Sequence, residues 1–197
     1  RPGEFKADRN NIPRVWMDHG AWPLLTTRLY IDQSGDLEFL LREQVFFKDH
    51  LIERSQAIDQ QWEPAHGIQQ RTRSGEIYQG TVLEHLLVQH LTAFFNVGEH
   101  NHCRLEGADW NDGMDMASER GESVAFSALY ASNLREIAQL LNALQNSGIV
   151  QVTLAAETQL LLDGVKGKID YSSVPARHKR LHEYFAAVAH TVSGDKI

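Results

Sequence analysis

Thr81-Val-Leu-Glu-His-Leu-Leu-Val-Gln-His-Leu-Thr-Ala-Phe-Phe95 reads as a helix from its first residue. Thr81 and Glu84 have the spacing of a capping box, in which hydroxyl and carboxylate each satisfy a backbone N–H that the first turn leaves without a helical partner. Leu83, Leu86, Leu87, Leu91, Phe94 and Phe95 then recur at helical spacing. The same spacing appears on either side. Upstream, Leu24, Leu25, Leu29 and Ile31 predict a helix over Trp22–Gln33 that stops at Gly35. Asp36 is expected to cap a second helix through Leu37, Phe39, Leu40, Leu41, Val45, Phe46, Leu51 and Ile52, with Glu38, Arg42, Lys48, Glu53 and Arg54 on its polar back. Trp62–Gly80, rich in Gln, Gly and Arg, reads as a loop. Downstream, Leu129, Leu134, Ile137, Leu140, Leu141 and Leu144 predict a helix over Ser123–Asn146, and two more are expected near Val150–Leu162 and Pro175–Val192. Six helices with no linker between them predict one all-α array of antiparallel hairpins.

Bulk properties narrow the partners. A net charge of −7 with no run of five like charges disfavours nucleic acid and anionic membrane, both of which need a basic face. A neutral, hydroxyl-rich substrate fits. Cys103 is the single cysteine, so no internal disulfide can form, and a reducing, cytoplasmic setting is expected. No signal peptide or membrane span is visible. The chain starts without Met and stops at Thr-Val-Ser-Gly-Asp-Lys-Ile197, so it is expected to be a piece of a longer protein.

Between the third and fourth predicted helices, Val97–Glu122 shows almost no apolar periodicity, and loops that long in a compact domain are functional or disordered. Leu105, Trp110 and Met114 argue against disorder. The segment holds Glu99, His100, His102, Glu106, Asp109, Asp112, Asp115, Glu119 and Glu122, with Trp110 and Asn111 between two carboxylates. Sugars stack on flat aromatic faces while carboxylates and amides take their hydroxyls. Glycosidic cleavage needs a carboxylic acid to protonate the departing oxygen. Asp109-Trp-Asn-Asp112 offers all of these groups, and Asp112-Gly113 is a turn signal. The residues alone leave the segment open between a sugar-handling turn and a structural cap for the next helix. Asp109-x-Asn111 lacks the glycine of a calcium loop, and His100-x-His102-Cys103 matches no standard zinc spacing, so no metal or cofactor is expected.

Gly107-Ala-Asp-Trp-Asn-Asp-Gly-Met-Asp115, followed by Gly121-Glu-Ser-Val-Ala125, resembles the signature of glycoside hydrolase family 94, the inverting cellobiose, cellodextrin and chitobiose phosphorylases and related β-glucan phosphorylases. Asp18-His-Gly-Ala-Trp22, Gly35-Asp36 and Thr81-Val-Leu-Glu-His85 fall in the expected order, so the resemblance spans at least Arg14 to Leu141. It implies that residues 1–197 form part of an (α/α)6 catalytic barrel in a larger multidomain enzyme. It implies Asp112 as general acid, Trp110 as the sugar platform, and Asp18 as a hydroxyl ligand, with Asp109 and Asn111 beside them. The family more often has Asp-Asp-Pro where this chain has Asp18-His19-Gly20, which leaves His19 as a substitute contact.

The reaction so implied is phosphorolysis of a β-linked glucoside or oligosaccharide, with inorganic phosphate as co-substrate and no cofactor. The family's phosphate ligands are expected outside this chain, so the piece alone is expected to be inactive; relatives are often homodimers. Two other readings remain. One is an inverting hydrolase on the same barrel, with Glu106, Asp109 or Asp115 activating water. The other is a non-catalytic carbohydrate-binding helical module. His50, His85 and His90 are expected to be core or groove residues within helices, Glu84 a capping residue, Arg104 and Glu106 supports for the site, and Trp16 and Trp22 either sugar-lining or packed between helices.

Overall fold

The central helix, α2 (Val82–Phe95), is buried on nearly every side: Leu83, Leu86, Leu87, His90, Ala93 and Phe95 are all inside. Thr81 caps it, its hydroxyl accepting from the Glu84 N–H at 3.1 Å. The computed structural model describes residues 17–106, 117, 119–162 and 168–197, with the backbone of 6–7 and 12–13. The latter pair as β1 (Lys6–Ala7) and β2 (Ile12–Pro13).

Among the described residues three further α-helices pack around α2: α1 (Ala21–Ser34) and α3 (Val124–Asn146) on one side, α4 (Val174–Val188) on another. Helix α1 ends where Gly35 turns left-handed, at φ 71°, and returns its N–H to Ile31. Its inward residues are Ala21, Leu24, Thr27 and Ile31; Leu29, expected inside, is on the surface. In α3, Ser123 caps the helix, and Tyr130, Asn133, Ile137, Leu140 and Leu144 form a seam at alternating three- and four-residue steps. Leu24, Ile31, Leu83, Leu86, Ile137, Leu140 and Leu144 make the main core. A second cluster, Phe95, Leu161, Leu181 and Tyr184, joins α2 to α4. Each such buried side chain contributes about 1.5–3 kcal/mol relative to exposure.

The fold is all-α, but two of the expected helices are replaced. Asp36 does cap a turn, its carboxylate accepting from Phe39 N, yet the turn is a 3-10 helix ending at Leu41. The chain then runs extended as β3 (Glu43–Val45) and forms the hairpin β4 (Leu51–Ile52) and β5 (Ala57–Ile58). Strand β3 pairs antiparallel with β6 (Gln79–Thr81), at the end of the segment read as a loop. The β-branched and aromatic run Val45-Phe46-Phe47 suits that pairing better than a helix. The β4–β5 turn, Glu53-Arg54-Ser55, is left-handed at all three residues (φ 52°, 55° and 67°) without a glycine, a conformation costing on the order of 1–2 kcal/mol per residue. Similarly, residues 150–155 are not helical. They pair with the chain's last residues, Leu154 and Ile197 exchanging backbone hydrogen bonds, and a 3-10 helix follows over Ala156–Leu161. No helix among the described residues is long and apolar enough to cross a membrane.

Candidate active site

Beyond Asn96, which ends α2, the chain turns through Gly98 and enters β7 (Cys103–Arg104). Strand β7 pairs antiparallel with β8 (Glu122–Ser123), which leads straight into α3. Leu105 N–H donates to Gly121 O at 2.9 Å and Arg104 N–H to Asn96 O at 3.1 Å. The two short strands thus form a neck at either end of residues 107–121, tied to α2 on one side and α3 on the other. Asp109, Trp110, Asn111 and Asp112 fall between β7 and β8 in the sequence and lie outside the described residues.

Glu122 bolts the neck. Its carboxylate accepts from the backbone N–H groups of His100 and His102, each at 3.1 Å, and from His100 Nδ1 at 2.9 Å. Burial would raise its pKa, but these hydrogen bonds outweigh burial and hold it below the usual glutamate range. Gly98 sits against this carboxylate: a Cβ there would lie 2.4 Å from Glu122 Cδ. The His100 ring is therefore engaged by Glu122, while the Cys103 thiol is buried against Ala93 O. Among the described residues no three His, Cys, Asp or Glu side chains converge as a metal site.

At the top of the neck stands Glu106, 8% exposed. Arg54 Nε approaches its two oxygens at 3.0 and 2.8 Å, and Nη2 lies 2.7 Å from Oε2. Asn96 Nδ2 donates to Oε1 at 2.5 Å. Burial opposes the Arg54 charge, yet Glu106, by charge and hydrogen bond together, holds the guanidinium pKa above its ordinary value. Arg54 was expected on the solvated back of a helix; the left-handed turn instead drives it inward. Neither Arg54 nor Asn96 was legible as a site residue, because the partner that explains each is distant in sequence. Beside this group a cleft of about 240 Å³ opens, lined by Arg54, Asn96, Arg104, Glu106, His178 and His182. His178 Nε2 donates to Val97 O at 2.6 Å, which fixes its tautomer and ties α4 to the neck.

Asp18 lies in a 3-10 turn, Met17–Gly20, just ahead of α1. It is 7% exposed and accepts the Trp22 indole N–H at 2.8 Å, while the Trp22 ring is 55% exposed and not packed between helices. Tyr130 of α3 donates to Met17 O, and Arg54 Nη2 reaches Met17 Sδ at 4.0 Å. The Asp18 turn and the neck of the Asp112 loop therefore meet around one guanidinium. His19 is half-buried in the same turn.

The core histidine reading holds for α2. His90 is fully buried; its Nδ1 donates to Leu86 O at 2.7 Å, so Nε2 is the acceptor for Asn133 Nδ2 at 3.1 Å. Burial lowers the pKa of both His90 and His85. His50 differs, lying outside any helix against Trp62. Glu84 also differs: only the Thr81 half of the capping box forms. The Glu84 carboxylate turns into the core and accepts the Tyr78 hydroxyl at 2.6 Å, with Lys196 Nζ 3.8 Å away.

No curated protein matches the chain. Residues 68–159 match the family model of the glycosyl hydrolase 94 superfamily, catalytic domain, a span that runs from before β6 through α2, the neck and α3 to the following 3-10 helix. Over that stretch the chain is similar to the catalytic domain of that superfamily, whose members act on glycosidic bonds.

Proposed function

We propose that the full-length protein is an inverting glycoside phosphorylase that converts a β-linked glucoside or oligosaccharide into an α-sugar 1-phosphate and a shortened saccharide. A phosphate oxygen attacks the anomeric carbon, the bond from that carbon to the glycosidic oxygen breaks, and the carboxyl proton of Asp112 passes to the departing oxygen. Trp110 stacks against the sugar, with Asp109, Asn111 and Asp18 taking its hydroxyls. The observation that carries this reading is the family match over 68–159, within which Asp109-Trp-Asn-Asp112 falls.

One further observation favours phosphate over water as nucleophile. An inverting hydrolase needs a second carboxylate able to take a proton from water. Glu106, one of three carboxylates considered for that role, has both oxygens committed to Arg54 and Asn96. Carboxylate oxygens so engaged leave no room for a water to be held in line with the sugar. Incubating the full-length enzyme with β-glucan oligosaccharides, with and without phosphate, and following products by NMR tests the reading. Sugar 1-phosphate of α configuration, formed only with phosphate, is expected. Equal release of free sugar without phosphate would overturn it.

A further inference from the structure

We propose that the cleft between the β4–β5 turn, the neck and α4 is a saccharide subsite that holds one pyranose unit of the oligosaccharide. The inference rests on the reading above only in taking a saccharide as substrate, and it is indifferent to whether phosphate or water attacks. One wall of the cleft is fixed before any ligand arrives. Arg54, Glu106 and Asn96 bind one another there, with Glu106 and Asn96 only 8% and 7% exposed. His178 holds α4 against the same wall through Val97 O. A prearranged wall of this kind spares the ligand the cost of ordering it. The backbone is also strained here. Of the five non-glycine residues that are left-handed among the described ones, Glu53, Arg54 and Glu106 line the cleft, and Ser55 continues the same turn. Strain collects at ligand clamps, where the shape it imposes is used.

The lining selects the class of ligand. It carries two carboxylates, Glu53 and Glu106, and two guanidinium groups, Arg54 and Arg104, so these charges cancel. An inorganic anion would meet Glu53, and a cation would meet Arg104. Hydrogen-bonding capacity is mixed as well. Arg104 gives Nη2 to Glu119 O at 2.9 Å and has its other N–H groups uncommitted among the described residues. Gln56 is exposed and offers both an amide donor and a carbonyl acceptor. His178, whose Nε2–H is spent on Val97 O, has Nδ1 left as an acceptor. Leu181 and Phe185 supply an apolar side. Donors and acceptors together, beside an apolar surface and without net charge, complement hydroxyls that both donate and accept around a C–H face. At about 240 Å³ the cleft is smaller than the roughly 300–1,000 Å³ of sites that enclose drug-sized ligands, which leaves room for one sugar ring.

Direct binding tests the subsite apart from turnover. The full-length protein is titrated calorimetrically, without phosphate, with β-glucan oligosaccharides of increasing length. One added unit is expected to tighten Kd by about tenfold. Gln56→Ala and Arg104→Gln should each lose most of that step while their denaturation midpoints stay at the wild-type value. Carbethoxylation of His182, an exposed side chain of the lining, locates the ligand when read by mass spectrometry. Oligosaccharide at about ten times Kd should slow it by about tenfold. No step in affinity at any length, or a step that survives in both variants, would overturn the subsite. So would a His182 that labels at its free rate under saturating oligosaccharide, or one that never labels in the free enzyme, since the cleft would then be closed. Protection of His182 by inorganic phosphate alone would make the cleft an anion site and overturn it too. Free sugar released during the phosphate-free titration would end the phosphorylase reading instead, and His182 protection would still decide the subsite.

Discussion

The Tyr130 hydroxyl donates to the backbone carbonyl of Met17 at 2.5 Å, so α3 holds the turn that carries Asp18. The bond is wholly buried, and burial pushes the Tyr130 hydroxyl up to about 12, keeping it a donor across the working pH range. Gly20 permits the approach, since a Cβ there would lie 2.7 Å from the Tyr130 oxygen.

Tyr130→Phe leaves Met17 O buried without that donor. The expected cost is about 1–3 kcal/mol of folding stability, measured by chemical denaturation. Because the Asp18 turn loses its tether, KM for the sugar donor should rise more than kcat falls in the full-length enzyme. An unchanged KM would show that Asp18 is held by other means.

Much of this framework was legible in the sequence wherever local signals agreed. Helix α2 begins at Thr81 and α3 at Ser123 because a capping hydroxyl, helical spacing and a long apolar seam coincide. Gly35 stops α1 for an equally local reason. The stretch from Asp36 to Ile58 was not legible, for its structure is set at long range: β3 is fixed by β6, and the left-handed Arg54 turn by an acceptor 52 positions away. No glycine marks that turn, so nothing nearby betrays it. The Glu84 side chain misled for a related reason. Its local role was complete on paper, but Tyr78 and Lys196 compete for the carboxylate and win. Of the residues that the sequence proposes for the site, Asp18 is described with its surroundings, while Asp112 and its neighbours lie outside the described residues.

The His90–Asn133 pair makes stability fall on the acid side of neutrality. In the unfolded chain histidine takes a proton near 6.5; burial lowers that value for His90 in the fold. Between the two values the unfolded state binds more protons, so stability is full above about 6.5 and is lost as pH falls towards the folded value. Asn133→Leu should remove the acceptor's partner and cost about 1–3 kcal/mol at pH 8, for the buried Nε2 is left without a donor. Denaturation midpoints from pH 8 to 5 would test this. A His90→Gln variant with the same pH slope as wild type would show that another group is responsible.

Glu84 acts with the opposite sign. Burial raises its pKa above the ordinary 4.5, more than the Tyr78 bond and Lys196 lower it. A carboxyl raised in the fold contributes stability that is complete below the unfolded value and is lost as pH rises through the folded one. Glu84→Gln removes the charge and keeps an acceptor for Tyr78. Its stability relative to wild type should therefore climb as pH rises above 4.5 and then level off, as read from paired urea titrations. A difference independent of pH would mean that Glu84 titrates alike in both states.

Gly98→Ala tests the bolt at the neck. The added methyl would sit 2.4 Å from Glu122 Cδ, and that carboxylate has little room to yield while it accepts from His100 N, His102 N and His100 Nδ1. Either the hydrogen bonds break or the backbone shifts, and overpacking of this kind costs about 1–3 kcal/mol. The damage should be local: exchange of the His100 and His102 amides should quicken sharply while the α2 and α3 amides keep their protection. Since β8 is the exit strand of the Asp112 loop, turnover of the full-length enzyme should fall along with it. Shortening Glu122 to Asp in the Gly98→Ala background would create the missing space, and partial recovery of amide protection is the expected result. Protection that stays lost in the double variant, with the clash relieved, would show that the neck depends on the length of the Glu122 side chain rather than on the space beside Gly98.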